Sequence, residues 1–550
     1  MHMSRWTRLA SVAAIALALA PLAGAQSDAA MPPPIIPDEN PMLPGQDILG
    51  KFLFWEEQVS FGNTMACGTC HIHEAGGSDP RSVSTINPGP DALFGTDDDI
   101  HGSAGVSRMT NAGDFTKNPL FGHAVQVTGR KSPPAINAWA FDEIFWDGRA
   151  PAAYTSVDTG AVVIPFFGAL ESQAAGPPVS DVEMTRIAHT WDDIEVKLVT
   201  VKPMALATNI PPEMQDFLSN HPTYPAMFEA VYGDPTITGD RITFAIGNYE
   251  RTLISNQTPF DDFLVSGVIA PELEPGLAVF QVAGSCSSCH VFPFLDDGNF
   301  HNIGVRPDSE DIGRQAVTGN AADIAKFKTP GVRNAKLRTP LFHNGGMATV
   351  ADLVDFYEAG GDFPGPNTDI LLLPLVLTAQ QKTDLVLFIE EGLTDPNVEN
   401  NLGVFSRPTL RSELPSLNSE FGVASNNGLG QPPELIAGMP ANLGHPNWLL
   451  GVADSTATTA ALLALAYNPG DGSPYPDPRF PIPMNIDVSS LLLLVPATTD
   501  TDGYATAKMA IPTSTALTGF TFYGQWFIQD AGALATGGVY GSKGVSVELF

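Results

Sequence analysis

Over roughly the first 400 residues, apolar positions recur at helical spacing in short separated stretches, and strict alternation with polar positions appears only near the C-terminus. This pattern predicts helices over 47–57, 185–200, 212–219 and 239–255, and another opening at Pro275 and running to Gln281. In the 239–255 stretch Ile242, Ala245, Ile246, Tyr249 and Leu253 share one stripe. A further helix begins after the candidate cap Thr349, carries Val350, Leu353, Val354 and Tyr357 on one face, and stops at Gly360-Gly361. From Gly76 to about Gly129 the chain is rich in Gly, Asn and Asp without apolar periodicity, which predicts a long irregular segment. Residues 504–511 behind an Asp502-Gly503 turn, the run 520–528, and Val545, Val547 and Leu549 alternating with Ser546 and Glu548 predict strands and hairpins. The expected fold is mainly α, followed over 441–550 by a β-rich, sandwich-like module suited to docking or scaffolding. Residues 401–440, rich in Pro, Ser, Asn and Gly, read as a linker.

A chain of 550 residues with 43% apolar side chains has room for several cores. Arg5 and Arg8 precede an apolar run from Leu9 to Leu22 that ends in Ala23-Gly24-Ala25. This reads as a secretory signal peptide over 1–25, shorter than the ~20 apolar residues that span a bilayer. No comparable run follows, so the expectation is a periplasmic or secreted protein with no membrane span. With 27 basic and 60 acidic residues the net charge is −33, which argues against nucleic acid as a partner; such a surface suits a basic electron donor or a cationic substrate, although solubility is the plainer reading of an acidic balance.

All four cysteines fall in Cys67-Gly68-Thr69-Cys70-His71 and Cys286-Ser287-Ser288-Cys289-His290. Each is a C-x-x-C-H haem attachment site: two thiols add to the vinyl groups of one haem, and the adjacent imidazole reaches its iron. The plainer reading of each pair is a disulfide or half a zinc site, and two complete C-x-x-C-H copies with no cysteine left over weigh toward haem. Two covalently bound haem c groups are therefore expected, and no internal repeat stands out beyond the doubled motif. The acidic stretch Asp91 to Asp99 offers oxygen ligands for calcium without full EF-hand spacing, so a solvated loop is the plainer reading.

The first haem motif is followed by Ser132-Pro133 with Asn137, then Phe145-Trp146-Asp147-Gly148-Arg149-Ala150, then Gln173, Pro177 and Glu183-Met184. The second is followed by Asp311-Ile312-Gly313-Arg314, Phe327-Lys328-Thr329-Pro330-Gly331-Val332-Arg333-Asn334 and Phe342-His343-Asn344-Gly345-Gly346. This order, covering about 47–396, resembles the bacterial di-haem cytochrome c peroxidase and MauG family. The resemblance implies two cytochrome-c-like haem domains, an N-terminal peroxidatic one over 26–262 and a C-terminal electron-transfer one over 263–400. It implies His71 and His290 as proximal ligands, Glu183 as the acid–base residue of peroxide cleavage, and Gln173 orienting the peroxide. Pro177 would shape the pocket wall and Trp146 would lie between the haems. Glu183 also fits a helix capping box with Ser180. His123 stands near the family's loop histidine that blocks the peroxide haem, with His101 as competitor. Tyr357 falls where peroxidases of the family place an axial methionine and MauG-type proteins an axial tyrosine; Met347 is a thioether ten residues earlier. A thioether favours ferrous iron, whereas a phenolate favours more oxidised states. The family's calcium between the haems uses an asparagine where this chain has Lys131, whose ammonium cannot ligate a cation, although the carbonyls of Arg338 and Pro340 remain.

The function expected on this basis is reduction of hydrogen peroxide to water, with electrons from a small redox protein such as a cytochrome c or a cupredoxin, and with MauG-like high-valent haem storage. The alternatives are MauG-like oxidation of a partner protein or substrate, and periplasmic electron transfer without catalysis.

Overall fold

The computed structural model describes residues 31–477, 481–533 and 538–550; the expected signal peptide lies outside them. Helices α1 (Gln46–Trp55), α2 (Trp191–Thr200), α3 (Pro212–Asn220), α4 (Tyr224–Tyr232) and α5 (Gly239–Glu250) form a first region. Helix α1 buries Leu49, Phe52, Leu53 and Trp55 and lies directly on α5. Gly50 permits the close approach, since a Cβ there would fall 1.9 Å from the carbonyl oxygen of Ala245. Helix α2 starts later than its apolar pattern predicts because Thr190 Oγ1 accepts from Asp193 N–H (3.3 Å) and closes a capping box. Helix α5 stops at Glu250, where the chain turns and Arg251 pairs with the buried carboxylate of Glu171 (2.6 Å).

Helices α6 (Pro259–Ser266), α7 (Val350–Ala359) and α8 (Ala379–Leu387) organise a second region. Its core holds Phe260, Leu277, Phe280, Leu385 and Phe388. Phe260 belongs to this core, so the break between the regions falls ahead of Pro259 and not at 262/263. The helix expected from Pro275 is Glu274–Ala278, continued by one wide π turn, Val279–Ala283.

The C-terminal strands are β1 (Asn418–Phe421), β2 (Glu434–Ile436), β3 (Trp448–Ala453), β4 (Ala460–Ala466), β5 (Leu491–Thr498), β6 (Ala505–Met509), β7 (Thr521–Gln529) and β8 (Val539–Glu548). They form an antiparallel five-stranded sheet, β5-β4-β7-β8-β1, and a three-stranded one, β6-β3-β2. The sheets face each other, with the rings of Trp448 and Phe522 meeting edge to face across the gap. Val545 and Val547 point inward as their alternation predicts. Helix makes up 29% of the described residues and strand 17%, so the fold is mixed and not mainly α. The reason is that irregular segments, in place of further helices, wrap the cavities described below.

Two further expectations change. Residues 401–440 are no free linker: Phe405 and Leu410 are buried, Arg407 pairs with both Glu74 and Glu413, and Glu57 accepts from the N–H groups of Arg411 (2.8 Å) and Ser412 (2.9 Å). One continuous core joins α1 and α5 to Trp448 and Trp526 of the sheets. There is also a second internal repeat. The turn around Asn137 and Phe145 recurs around Asn334 and Phe342, with all four residues at positive φ and with matching bridges Ile144–Ala150 and Leu341–Met347. The two copies cross: Lys131 N–H donates to His343 O (2.8 Å), and its equivalent Lys328 N–H donates to Trp146 O (2.7 Å).

The sheet module is seated tightly enough to test. A Cβ on Gly451 would lie 2.5 Å from the Phe115 ring and 3.1 Å from Ile436 Cβ. Gly451→Val is expected to destabilise the haem-loaded protein by about 1–3 kcal/mol in thermal or urea unfolding. Val196→Ser, at a position 70% exposed, should leave it within about 0.5 kcal/mol of the parent.

Candidate functional site

The residues singled out in the sequence gather around two cavities. The first, of about 640 Å³, is lined by Cys67, Cys70, His71, Gln173, Pro177 and Glu183, with Trp146 in its wall. Cys67–Cys70 is a single helical turn on which Trp55 packs so closely that a Cβ at Gly68 would sit 2.2 Å from the indole. His71 N–H closes the turn on Cys67 O (3.1 Å). The ring's Nδ1–H donates to Gly77 O (3.0 Å), and burial disfavours the charged form, so Nε2 carries a free lone pair.

Gln173 sits near the end of the short helix Ala169–Ala174, and Glu183 in the turn after Pro177–Val179. The capping bond from Glu183 N–H to Ser180 Oγ (3.3 Å) is present, yet no helix follows it. The segment is clamped by Gly105, where a Cβ would meet Val182 O at 2.0 Å. Burial raises the Glu183 pKa and the charge of Arg149 partly opposes the shift.

The second cavity, of about 360 Å³, is lined by Cys286, Cys289, His290, His343 and Tyr357, again with Trp146. The local design repeats: His290 N–H donates to Cys286 O (2.9 Å) and its Nδ1–H to Leu295 O (3.0 Å). Burial holds the His290 pKa down at about 4, against the pull of that carbonyl. Thr349 Oγ1 caps α7 by accepting from Asp352 N–H (3.1 Å), and α7 carries Tyr357 to the cavity. Among the described residues the Tyr357 hydroxyl has no hydrogen-bond partner, and burial keeps it protonated. Met347 packs beside Phe342 and Tyr357 but does not line this cavity.

Trp146, 9% exposed, belongs to the wall of both cavities. Its Nε1–H donates to Lys131 O (2.7 Å), and its ring meets His343 edge to face at 6.2 Å. His343 stacks on Phe327 at 3.6 Å, and burial holds its pKa down at about 3.

Other candidates lie apart from the cavities. His123 pairs through Nδ1 with Asp454 of the sheet module (3.3 Å) and does not line the first cavity. His101 donates from Nδ1 to Ser82 O (3.0 Å). In the acidic loop, Asp98 and Asp99 accept from the loop's own N–H groups. Among the described residues one group, Cys289, Asp297 and His301, brings three metal-donor atoms within 4.8 Å of one another. Its His301 is already held by Asp369 (2.6 Å) and Asp297 (3.0 Å).

Sequence reasoning missed Glu250 and His343 as cavity residues. Glu250 lines the first cavity, its Oε2 has no partner among the described residues, and burial, helped by the charge of Glu171, lifts its pKa to about 8. The signal was present, since Glu250 continues the stripe of Ile242 and Ile246. His343 stood within a quoted motif without a role.

The donor sets fit haem. Each cavity offers two thiols on one turn and a neutral imidazole whose far nitrogen is fixed by a carbonyl, the arrangement that orients a metal-binding histidine.

Residues 46–267 match the family model described as di-haem cytochrome c peroxidase. Cytochrome-c peroxidase IdrP1 of Denitromonas iodatirespirans is 27% identical over 432 residues, covering 70% of this chain and 94% of its own. Methylamine utilization protein MauG of Methylorubrum extorquens is 26% identical over 368 residues, covering 66% and 81%. A solved MauG-like protein associated with microbial copper homeostasis aligns with 68% of this chain and 97% of its own, at 22% identity and a TM-score of 0.49. On the match over residues 46–267 and on relatives of both names, this chain is similar to the di-haem cytochrome c peroxidase and MauG family, a likeness that implies two c-type haems.

Proposed function

We propose that this chain is an exported, periplasmic or secreted, peroxidase that reduces hydrogen peroxide to water in the His71 cavity with electrons supplied through the His290 cavity. The observation that carries the reading is Trp146, which lines both cavities while Glu183 and Gln173 share the first with Cys67, Cys70 and His71. Haem held covalently by Cys67, Cys70 and His71, and by Cys286, Cys289 and His290, would supply the iron that exchanges electrons with peroxide and with the donor.

The protein's own part is proton handling, orientation and conduction. Splitting the O–O bond with two electrons and two protons gives two waters. Glu183 takes the proton from one peroxide oxygen at a carboxylate oxygen and passes it to the other, which leaves as water. The Gln173 carboxamide holds the peroxide by donating a hydrogen bond, and Pro177 contributes wall without an N–H group. Trp146 provides a polarisable aromatic between the cavities. His123, tied to Asp454, leaves the first cavity free of a loop ligand, so the ferric protein reacts without prior reduction.

A second reading, MauG-like oxidation of a partner with storage of oxidising equivalents, is favoured by Tyr357, which lines the second cavity where Met347 does not. A phenol beside His290 suits oxidised states better than a ferrous reservoir.

Electrons enter, on this proposal, across an apolar lip of that cavity. Ile370, Leu371, Leu373 and Val376 are 57–95% exposed, with Leu371, Leu373 and Val376 forming part of the lining and Val282 exposed on the turn that leads to Cys286. On a chain of net charge −33 this fits a small basic redox protein, a cytochrome c or a cupredoxin, with an apolar contact face.

The deciding experiment is stopped-flow absorbance of the ferric protein mixed with one equivalent of hydrogen peroxide. A prompt Soret change is expected; reaction only after one-electron reduction would restore a gating ligand, and silence in both states would leave plain electron transfer. Glu183→Gln is expected to lower the peroxide rate about 10²–10⁴-fold. Because burial raises the Glu183 pKa and the carboxylate is the working form, the parent rate should climb as pH rises through that raised value, and the Gln variant should lose this limb. Tyr357→Phe should alter the spectrum of one haem only, whereas Met347→Leu should leave both unchanged. Val376→Asp should slow turnover with a protein donor while leaving turnover with a small-molecule reductant intact.

A further inference from the structure

Lys131 occupies an unusual position for a lysine. It is 3% exposed, and it lines the first cavity as well as a narrower one of about 80 Å³ shared by Cys286, His290 and Tyr357. Its backbone fastens the wall from both sides, the N–H donating to His343 O (2.8 Å) and the carbonyl accepting from Trp146 Nε1–H (2.7 Å). Its Nζ donates to Ser78 Oγ (2.7 Å), Ser78 donates to Ser132 O (2.8 Å), and Ser132 Oγ donates to Cys70 O (2.9 Å). An ammonium in the wall is thus connected by hydrogen bonds to the first cysteine turn.

The surroundings do not fit a calcium ion, which takes six to eight oxygen ligands. The side chain standing at the expected asparagine position has three donors and no acceptor. Arg338, also buried, adds a second positive charge and donates to the carbonyls of Arg333 (2.8 Å) and Gly331. The carboxylate nearest in effect, Asp79, is fully buried and already holds Arg81 with both oxygens (2.9 and 2.8 Å). Burial pulls the Lys131 pKa down to about 8, against the charge of Asp79 and helped by that of Arg338, so the group keeps its proton at pH 7.

We propose that the Lys131 ammonium is the resident cation of the wall between the two cavities, standing where this family's resemblance implies calcium, so that the chain holds Trp146 and both cavities without a divalent ion. The inference rests on the di-haem reading above, and its test does not depend on peroxide turnover.

The haem-loaded protein is titrated with calcium by calorimetry, and its melting temperature and Soret spectrum are recorded in calcium and in EGTA. The parent is expected to show no stoichiometric calcium binding, and neither melting temperature nor spectrum should move with either addition. Lys131→Asn, which replaces the ammonium with a carboxamide oxygen, is expected to gain one calcium site and a melting temperature that rises with calcium and falls back with EGTA. Lys131→Met, with neither cation nor ligand, should melt below the parent and ignore calcium. Should Lys131→Asn not accumulate with haem, Lys131→Gln carries the same oxygen and the same expectation. One calcium bound per parent chain, or a parent destabilised by EGTA, overturns the proposal; so does an oxygen-bearing variant that stays indifferent to calcium. Unchanged haem content and peroxide reactivity in the parent keep such a failure separate from a failure of the peroxidase reading.

Discussion

The crossing of two turns around Trp146 and His343 is the constraint on which the rest of the molecule depends. Each copy places an aromatic or heteroaromatic side chain after a residue at positive φ, and each receives a backbone hydrogen bond from a buried lysine of the other copy's leading strand. The two rings then meet edge to face, Trp146 lining both cavities and His343 the second. A buried polar wall of this kind is stable only when its members are satisfied. Here the two lysine N–H groups find carbonyl acceptors across the crossing, and the indole N–H finds the Lys131 carbonyl within its own copy. The two cavities that hold the cysteine turns share this wall, which two backbone hydrogen bonds tie together.

The sheet module follows from a different requirement. Its three-stranded sheet presents Gly451 to Phe115 and accepts Phe115 N–H on Thr506 Oγ1 (2.8 Å), while Asn63 donates to Asn442 (2.9 Å) beside Lys197, whose ammonium satisfies the carbonyls of Ser60 and Phe61. The long irregular segment before Lys131 has little periodic apolar surface of its own, and the module covers it. His123 is drawn into that contact through Asp454, which explains why a histidine so close in sequence to the cavity residues is not directed to them.

Much of this was legible in the sequence, for identifiable reasons. Two five-residue motifs marked both cavities, helices α1, α3 and α7 followed their apolar stripes, and β8 followed its alternation. What escaped notice obeyed tertiary terms. Strand β4 reads Ala-Ala-Leu-Leu-Ala-Leu-Ala, strong helix formers that become strand only because β5 and β7 flank it. Strand β3 is buried on every residue, so it shows no alternation to detect. The repeated turn is hard to see in the sequence because its identical equivalents are few and scattered, among them Lys131 with Lys328, Asn137 with Asn334 and Phe145 with Phe342, while others differ: Trp146 answers to His343, and Asp147 to Asn344. Residues 401–440 have the composition of a linker but are pinned by Arg407, Phe405 and Leu410, contacts to partners hundreds of positions away.

The same repetition makes the two sides of the wall unequal in charge. Lys328 is neutralised by Asp296 at 2.6 Å and lies over the Phe141 ring at 3.5 Å, whereas among the described residues the ammonium of its equivalent Lys131 hydrogen-bonds a serine hydroxyl and feels the Asp79 carboxylate without pairing with it. This ammonium stands on the side where its own carbonyl receives the Trp146 indole N–H. An indole that gives up an electron becomes a stronger acid at that nitrogen, but a peptide carbonyl is too weak a base to take the proton. A positive charge in the same wall also disfavours any positive charge on the indole. On the far side of the wall, Tyr357 shares its cavity with Lys131 and Arg338, yet its phenol finds no hydrogen-bond partner among the described residues, and burial holds it in the neutral form.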